Sequence, residues 1–254
     1  MSSAYILSDL TWLEAKEAFA KAELAIIPIG AFEQHGPFMT FQVDTARAYG
    51  FGKLLAERLY PRVILAPPIP FGISQHHMKF PGTITLEHDT FHAVIRDVVR
   101  SLMAHGMKQF FLVNGHGGNN PSLEVMIVRL RHELGVQVAV AHPTTMGAEV
   151  TKDRHKAALG IHCGEGETSQ AMYLAPHVVR PERIVQGAVR GFPYKNLGKS
   201  SGIVYPSTWD ELTENGALGD ATEASAELGK QIIDAALIKA SEFLIDFMDK
   251  NAKT

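Results

Sequence analysis

The stretch QFFLVNGHGGN, residues 109–119, combines the clearest strand pattern of the chain with a glycine-rich turn that follows at once. Its first five residues are typical of a strand that is buried on both faces of a sheet. The turn places His116 just beyond the carboxyl end of that strand, where glycines let the backbone approach a ligand closely. Because α/β sheets bind their ligands beyond the carboxyl ends of the strands, this stretch predicts both a fold class and a site.

The segments on both sides of this stretch alternate between strand and helix patterns. Short apolar runs predict strands at residues 24–29 (LAIIPI), 63–66 (VILA) and 136–141 (VQVAVA). Helical spacing predicts helices at residues 44–59, with Asp44 as the N-cap, and at 90–105, 121–134, 167–174 and 217–249. Strands that alternate with helices predict an α/β fold with a mostly parallel central sheet covered on both faces.

Composition excludes several classes of protein. The 254 residues are 46% apolar and 20% charged, which is typical of a globular protein, and we treat residues 1–254 as a single domain. A formal net charge of -3 without a basic stripe argues against a nucleic-acid partner. The single cysteine, the lack of a signal-peptide pattern and the lack of a membrane-spanning apolar run predict a cytoplasmic protein without a membrane partner.

The chain has four groups of carboxylate and imidazole side chains, three of which directly follow a predicted strand or begin a predicted helix. Glu33 and His35 are two residues apart, so in extended backbone they leave the same side of the chain. Asp44, His116 and the segment HCGEGETS, residues 162–169, supply the other three groups. A hydrolytic metal needs such ligands and an open position for water, whose pKa it lowers from ~15.7 to roughly 7. Mixed carboxylate and histidine ligands favour Zn, Mn or Fe(II) over Ca or Mg.

Each group alone also has a simpler interpretation. Asp44 is compatible with a plain helix cap, and a glycine-rich turn such as that at His116 often binds phosphate or only turns the chain. Glu167 is compatible with a first-turn carboxylate that favours the helix dipole. We interpret Cys163 as a small buried residue, and His76 and His77 as loop residues that are open to a role in substrate binding. Residues 180–215, rich in Gly, Pro, Ser and Asn, are interpreted as a long excursion that forms a lid or an oligomer contact.

Taken together, the groups resemble the motifs of the creatininase (creatinine amidohydrolase) family. The similar segments occur in the family's order: PIGAFEQHGP (28–37), VDT (43–45), FPGTITL (80–86), VNGHGGN (113–119), GEGETS (164–169) and GDATEAS (219–225). The resemblance implies a three-layer α/β/α creatininase-like fold and a homo-oligomer, usually a homohexamer. It further implies one or two divalent metals per subunit.

The resemblance also implies roles for individual residues. Glu33, His35, Asp44 and His116 match the family's metal ligands, with Asp44 as the bridge between two metals. Glu167 matches a glutamate that acts as a metal ligand or as a catalytic base beside the metals. His162 matches a histidine that shuttles a proton to the leaving nitrogen. We further expect His77 to contact substrate, and the backbone N–H groups of Gly117 and Gly118 to stabilise the oxyanion.

Two departures from creatininase proper point away from creatinine itself. Creatininase has NGHYEN, in which the glutamate two residues after the histidine also binds metal. This chain has Gly117 in place of the tyrosine and Gly118 in place of that glutamate. A second metal is therefore expected to bind more weakly, to be held with the help of Glu167, or to be absent. Creatininase packs tryptophans around its substrate, but Trp12 and Trp209 lie outside the matching segments. The GHGGN form resembles relatives that act on a formamide, on a redox-cofactor precursor peptide or on an inositol-derived ketone.

We therefore expect an amidohydrolase that cleaves a C–N bond, other than a peptide bond, of a small cyclic amide or formamide by means of metal-bound hydroxide. The alternatives are a ring-opening hydrolase or isomerase for a sugar- or inositol-derived ketone, and a cofactor-precursor peptidase. A third possibility, a non-catalytic relative that only binds metal or ligand, is disfavoured by the near-complete ligand set. A nucleotide-binding Rossmann domain disagrees with the lack of a G-x-G-x-x-G segment after the first strand.

Overall fold

The computed structural model describes residues 4–154, 162–197 and 202–251. Within these residues, five parallel strands form one sheet. The strands are β1 (Tyr5–Ile6), β2 (Leu24–Ile29), β3 (Val63–Leu65), β4 (Gln109–Asn114) and β5 (Gln137–Ala141). Their order across the sheet is β1-β3-β2-β4-β5, which confirms the predicted parallel sheet.

Helices alternate with these strands along the chain. They are α1 (Trp12–Phe19), α2 (Val43–Arg58), α3 (His88–Ala104), α4 (Asn120–Leu134), α5 (Pro143–Met146), α6 (Glu165–Leu174), α7 (Trp209–Leu212) and α8 (Ala226–Asn251). None of the helices in the described ranges is long and apolar enough to cross a lipid bilayer.

The two faces of the sheet pack against different sets of helices. Ala25 and Ile27 of β2 belong to a core that includes buried side chains of α1, α3 and α4. Leu24 and Ile26, whose side chains point to the opposite face, belong to a core with α2 and α8. A strand buried on both faces needs apolar side chains at every position, which the sequence LAIIPI provides. The three-layer α/β/α arrangement is therefore confirmed.

Two predicted helix starts were wrong. α2 begins at Val43 with Gln42 as N-cap, so Asp44 lies inside the first turn and does not cap the helix. Its carboxylate instead points towards His35. The last helix, predicted to start at residue 217, begins at Ala226, and residues 217–225 lie outside it. The N–H groups of Leu218 and Gly219 donate to the carbonyl of His162 at 3.1 and 2.9 Å, which ties this segment to the site.

Two glycines allow the start of α2 to lie against the ends of the central strands. β2 and β4 are neighbours, and their last residues, Ile29 and Asn114, are paired. A Cβ atom on Gly30 would lie 2.2 Å from Thr45 Oγ1, and a Cβ atom on Gly115 would lie 2.1 Å from the carbonyl oxygen of Asp44. Side chains at either position would push α2 away. The close approach puts Asp44 beside the segments that follow β2 and β4.

Candidate metal centre

Three segments that meet at the carboxyl edge of the sheet supply four of the five predicted ligands, and α6 supplies the fifth, Glu167. Glu33 and His35 follow β2, His116 follows β4, and Asp44 comes from the first turn of α2. Glu33 is 0% exposed, and Asp44 and His35 are each 1% exposed. Ionisable side chains are rarely so fully buried unless they are paired or bind a metal, which makes this cluster a candidate site.

Asp44 lies between two groups of side chains. Its Oδ1 atom is 3.3 Å from His35 Nε2, and that nitrogen is 3.9 Å from Glu167 Oε1. These atoms form what we term the His35 side. The Oδ2 atom of Asp44 is 3.4 Å from His116 Nδ1, and the other ring nitrogen of His116 is 3.1 Å from Glu33 Oε2. These atoms form the Glu33 side, so Asp44 is the residue shared by both sides.

The buried atoms of this cluster suit a cation. Within the described part of the chain, Glu33 Oε1, His35 Nε2 and Asp44 Oδ2 are buried and have no hydrogen-bond partner. Buried polar atoms almost always have a partner, so such atoms at a single place need an explanation. Single ligand atoms of Glu33, His35 and Asp44 lie within 4.8 Å of one another, as do those of His35, His162 and Glu167. The oxygen and imidazole donors fit Zn, Mn or Fe(II).

Charge in the cluster is dominated by carboxylates. Arg47, which is 2% exposed, donates from Nη1 to Glu167 Oε1 at 2.7 Å and lies 3.6 Å from Asp44 Oδ1. Its other terminal nitrogen donates to Thr144 Oγ1 at 2.6 Å. One guanidinium thus faces two carboxylates, and the third, Glu33, has no arginine or lysine beside it among the described ion pairs. When the imidazoles are neutral, as metal ligands are, a divalent cation would balance the remaining negative charge.

The pKa values of the ligands follow from burial and from these neighbours. Burial alone lowers the pKa of His35, but the carboxylates of Asp44 and Glu167 raise it to about 10. Burial also lowers the pKa of His116, and Glu33 and Asp44 outweigh it, so that the pKa reaches about 9. Burial alone raises the pKa of Asp44, but His35, His116 and Arg47 hold it well below its usual range. In the metal-free protein both imidazoles are therefore protonated at neutral pH.

This protonation predicts how the stability of the metal-free protein depends on pH. The folded-state pKa values of His35 and His116 lie above the unfolded value of about 6.5, so their contribution is full below about pH 6.5 and is lost as pH rises through about 9 to 10. We expect the melting temperature of metal-free protein to fall between about pH 8 and about pH 10.5. Metal-loaded protein is the control, because its ligating imidazoles are already neutral. Parallel curves for the two forms would contradict this assignment.

Two further imidazoles face Glu33 and are held by Gln34. The Nε2 atom of Gln34 donates to the carbonyl of Gly216 and lies 2.9 Å from His77 Nδ1 and 3.2 Å from His162 Nε2. After its bond to Gly216, the Gln34 amide has one hydrogen left to donate. The imidazole that accepts this hydrogen carries its own proton on its other ring nitrogen. Those other nitrogens, Nε2 of His77 and Nδ1 of His162, lie 3.3 and 4.0 Å from Glu33 Oε1.

Both of these imidazoles are neutral. Burial, with a contribution from His162, lowers the pKa of His77, and burial, with a contribution from His35, lowers the pKa of His162. A neutral ring with one accepting nitrogen fixed by Gln34 presents an N–H towards the centre. Because the Gln34 amide has one hydrogen left for two rings, it fixes one of His77 and His162 as a hydrogen-bond donor towards Glu33, and the tautomer of the other ring is not fixed by Gln34.

A cavity of about 960 Å³ opens onto the centre. Trp209, the first residue of α7, stands over His76 and His77, with ring centroids 4.6 and 4.9 Å away. The cavity's apolar wall comes largely from the long excursion and the residues that follow it: Phe192, Tyr205, Pro206, Trp209, Leu212 and Leu218. The excursion at residues 180–215 thus contributes a wall of the pocket, apart from residues 198–201, which lie outside the described ranges.

The structure brings the predicted site residues together. Glu33, His35, Asp44, His116, Glu167, His77 and His162 share the cluster, and Gly117 and Gly118 line the cavity beside it. Cys163 is buried, and burial together with Glu167 raises the pKa of its thiol, which agrees with its interpretation as a residue that is not a nucleophile. Its backbone N–H donates to Glu167 Oε2 at 2.7 Å and so helps to orient that carboxylate.

Three residues of the site were missed from the sequence. Trp209 lies outside the recognisable motifs, and Arg47 has the spacing of an ordinary helix residue. His142 was not singled out as a site residue, yet it lines the cavity. His142 directly follows β5, the neighbour of β4, so the rule that ligands bind beyond strand carboxyl ends would have found it. Burial and Arg47 lower the pKa of His142 to about 3, so it is neutral.

Comparison with known proteins connects this geometry to one family. The sequence profile of creatininase (creatinine amidohydrolase) matches residues 8–244. A mycofactocin precursor peptide peptidase from Mycobacterium tuberculosis is 30% identical over 92% of this chain and 92% of its own length. A creatinine amidohydrolase from Pseudomonas putida is 27% identical over 93% and 95% of the two chains, and a 3-dehydro-scyllo-inosose hydrolase from Thermotoga maritima is 26% identical over 95% and 83%.

Solved structures show the same likeness in three dimensions. A creatinine amidohydrolase (creatininase) superposes with a TM-score of 0.82 and 26% identity, over 97% of this chain and 99% of that one. A creatininase described as the manganese form superposes with a TM-score of 0.78 and 27% identity, over 96% and 99% of the two chains. A creatininase mutant described as the Zn-Zn type has a TM-score of 0.78 and 26% identity, over 97% and 99%.

Proposed function

Because this chain belongs to the creatininase family, we propose that it is a divalent-metal-dependent hydrolase that cleaves a C–N bond of a small amide. The observation that supports this most is the set of buried atoms of Glu33, His35 and Asp44 that lack hydrogen-bond partners among the described residues. The relatives named above are hydrolases by name, and two of them, the amidohydrolase and the peptidase, act on C–N bonds.

The chain offers positions for two ions that share Asp44. His35 and Glu167 would hold one ion, and Glu33 and His116 would hold the other. Both oxygens of Glu167 already accept hydrogen bonds, from Arg47 and from the Cys163 N–H, which favours a ligand over a base. When bound, a divalent ion supplies a water of lowered pKa and polarises a carbonyl group. Zn, Mn and Fe(II) all suit these donors.

Residues around the ions have distinct tasks in the proposed reaction. His162, with its Nδ1 atom towards Glu33, would deliver a proton to the leaving nitrogen. The N–H groups of Gly117 and Gly118 begin a helical turn, so they have no acceptor within it and are available to the carbonyl oxygen of a substrate. His77 would donate to the same substrate. Trp209 and the apolar wall would bind the rest of the molecule and exclude water.

Metal removal tests this proposal directly. We expect dialysis against a chelator to abolish hydrolysis of whichever amide the protein accepts, and we expect Zn, Mn or Fe(II) to restore it. The measurement is turnover across a panel of lactams, hydantoins and formamides, with metal content determined on the same samples. Full activity in protein that holds no metal would rule out the proposal.

A second candidate function is cleavage of a short peptide. It is supported by the 30% identity to a peptidase and by a cavity of about 960 Å³, which is far larger than a small cyclic amide requires. Release of terminal residues from short peptides, followed by mass spectrometry, would select it if lactams and formamides stay intact. Ring opening of a polyol-derived ketone, without turnover of any amide, would instead select the activity that the Thermotoga relative's name describes.

A further inference from the structure

We propose that His76 is a metal ligand on the Glu33 side, and that position 118 is a glycine so that the His76 imidazole can reach this side. The inference rests on the proposed function, because it adds a ligand to the centre described above. No family motif quoted above includes His76, which lies four residues before Phe80, the first residue of FPGTITL.

The first argument is the placement of the His76 ring. One ligand atom from each of Glu33, His76 and His116 lies within 4.8 Å of the other two. The rings of His76 and His116 are nearly parallel, at 10°, with centroids 5.7 Å apart. Ligands ~2.1 Å from a tetrahedral zinc are roughly 3.4 Å from each other, so no two of these groups need to converge by more than about 1.4 Å.

The second argument is the space that Gly118 leaves open. A Cβ atom on Gly118 would lie 2.3 Å from His116 Nε2 and 2.7 Å from His76 Cε1. It would also lie 2.7 Å from the carbonyl oxygen of Ile73, which is backbone and cannot rotate away. Any side chain at this position would therefore displace one of the two imidazoles. Creatininase proper has a glutamate at this position. In this chain the glycine leaves the corresponding volume empty, and the His76 ring borders it.

The third argument is that His76 has no other polar role in the described chain. Its contacts there are with the rings of His77, His116 and Trp209, and neither of its nitrogens has a hydrogen-bond partner among the described residues. His88, which also lines the cavity, is different, because its Nδ1 atom lies 3.0 Å from Ser122 Oγ. The His76 nitrogens are thus free to bind an ion.

An imidazole in place of a carboxylate also predicts a change in metal preference. Imidazole suits Zn and Fe, whereas carboxylate and water suit Mn and Mg. With His76 as a ligand, the Glu33 side has two imidazoles beside its two carboxylates, Glu33 and the shared Asp44. The Glu33 side is therefore expected to prefer zinc over manganese more strongly than it would without His76.

The test compares the wild type with His76→Phe and with the control His88→Phe. Phenylalanine keeps a flat ring between Trp209 and His116 but has no nitrogen, so a merely structural role of His76 would survive. Zinc and manganese are titrated into metal-depleted protein against a coloured chelator, and X-ray absorption counts the imidazoles per zinc. For His76→Phe we expect one zinc per chain to bind at least about 10- to 100-fold more weakly, with fewer imidazoles per zinc and a smaller preference for zinc. His88→Phe is expected to match the wild type.

Each outcome separates the inference from the proposed function. If His76→Phe binds zinc with wild-type affinity and the same number of imidazoles, His76 is not a ligand, and the proposed function stands. If the wild type itself binds no metal, the proposed function fails and takes the inference with it. If His76→Phe does not fold, judged by circular dichroism, His76→Gln replaces it with the same expected loss, and wild-type zinc binding in that variant overturns the inference.

Discussion

Asp44→Asn is expected to remove metal from both sides of the centre and to lower hydrolysis by about 10³-fold or more. Asp44 is the one carboxylate that faces His35 with one oxygen and His116 with the other. Asparagine keeps the shape of the side chain but loses the charge, and its NH₂ group, a donor, would point at a cation. Replacing a ligand of only one side should leave the other ion in place. Metal content per chain and turnover are the measurements.

Asp89→Asn is the matched control for this substitution. Asp89 is also the second residue of its helix, α3, and it is exposed. Both substitutions therefore remove a similar favourable interaction with a helix dipole, but only the first removes a ligand. Retention of two ions and of turnover by Asp44→Asn would refute the shared position of this carboxylate.

Arg47→Met is expected to destabilise the metal-free protein by about 3–5 kcal/mol. The guanidinium is buried, and its loss would remove the cation 2.7 Å from Glu167 and one of the cations beside Asp44 in the interior. A bound cation supplies the missing charge, so the loss should be much smaller in metal-loaded protein. Arg47→Lys keeps the charge but not the forked contacts to Thr144 and Gln170. The stability of this variant is therefore expected to lie between that of the wild type and that of Arg47→Met.

Denaturant unfolding with and without metal measures these differences. The control is Arg129→Met, because Arg129 pairs with Glu133 on the exposed face of α4 and should matter little. A similar loss of stability for Arg47→Met in both metal states would mean that the guanidinium serves packing alone and does not balance the charge of the centre.

The sequence predicted those parts of the structure that depend on local patterns. Buried parallel strands need continuous apolar runs, so LAIIPI and QFFLVN were recognisable, and they locate the carboxyl edge where Glu33, His35 and His116 gather. The helix pattern predicted Asp44 as a cap, which was wrong, whereas the family resemblance predicted it as a shared metal ligand; a helix N-terminus accepts an aspartate for either purpose.

The parts that the sequence did not predict depend on tertiary contacts. Arg47 has the spacing of a helix residue, and only the packing of α2 against α6 shows that it contacts Glu167. Trp209 reaches the site through a long excursion whose path no periodicity determines. The homohexamer, the cytoplasmic location, the number of ions and their identity stay predictions, which sedimentation, fractionation and elemental analysis would test.

Anomalous X-ray diffraction from crystals grown with zinc or manganese tests the metal centre most directly. We predict an anomalous peak about 2.0–2.2 Å from a carboxylate oxygen of Asp44, with Glu33 and His116, or His35 and Glu167, also within bonding distance of the peak. Two such peaks, one on each side of Asp44, would be the complete centre. Absence of any peak within bonding distance of Asp44, in crystals that hold the metal elsewhere, would contradict the account.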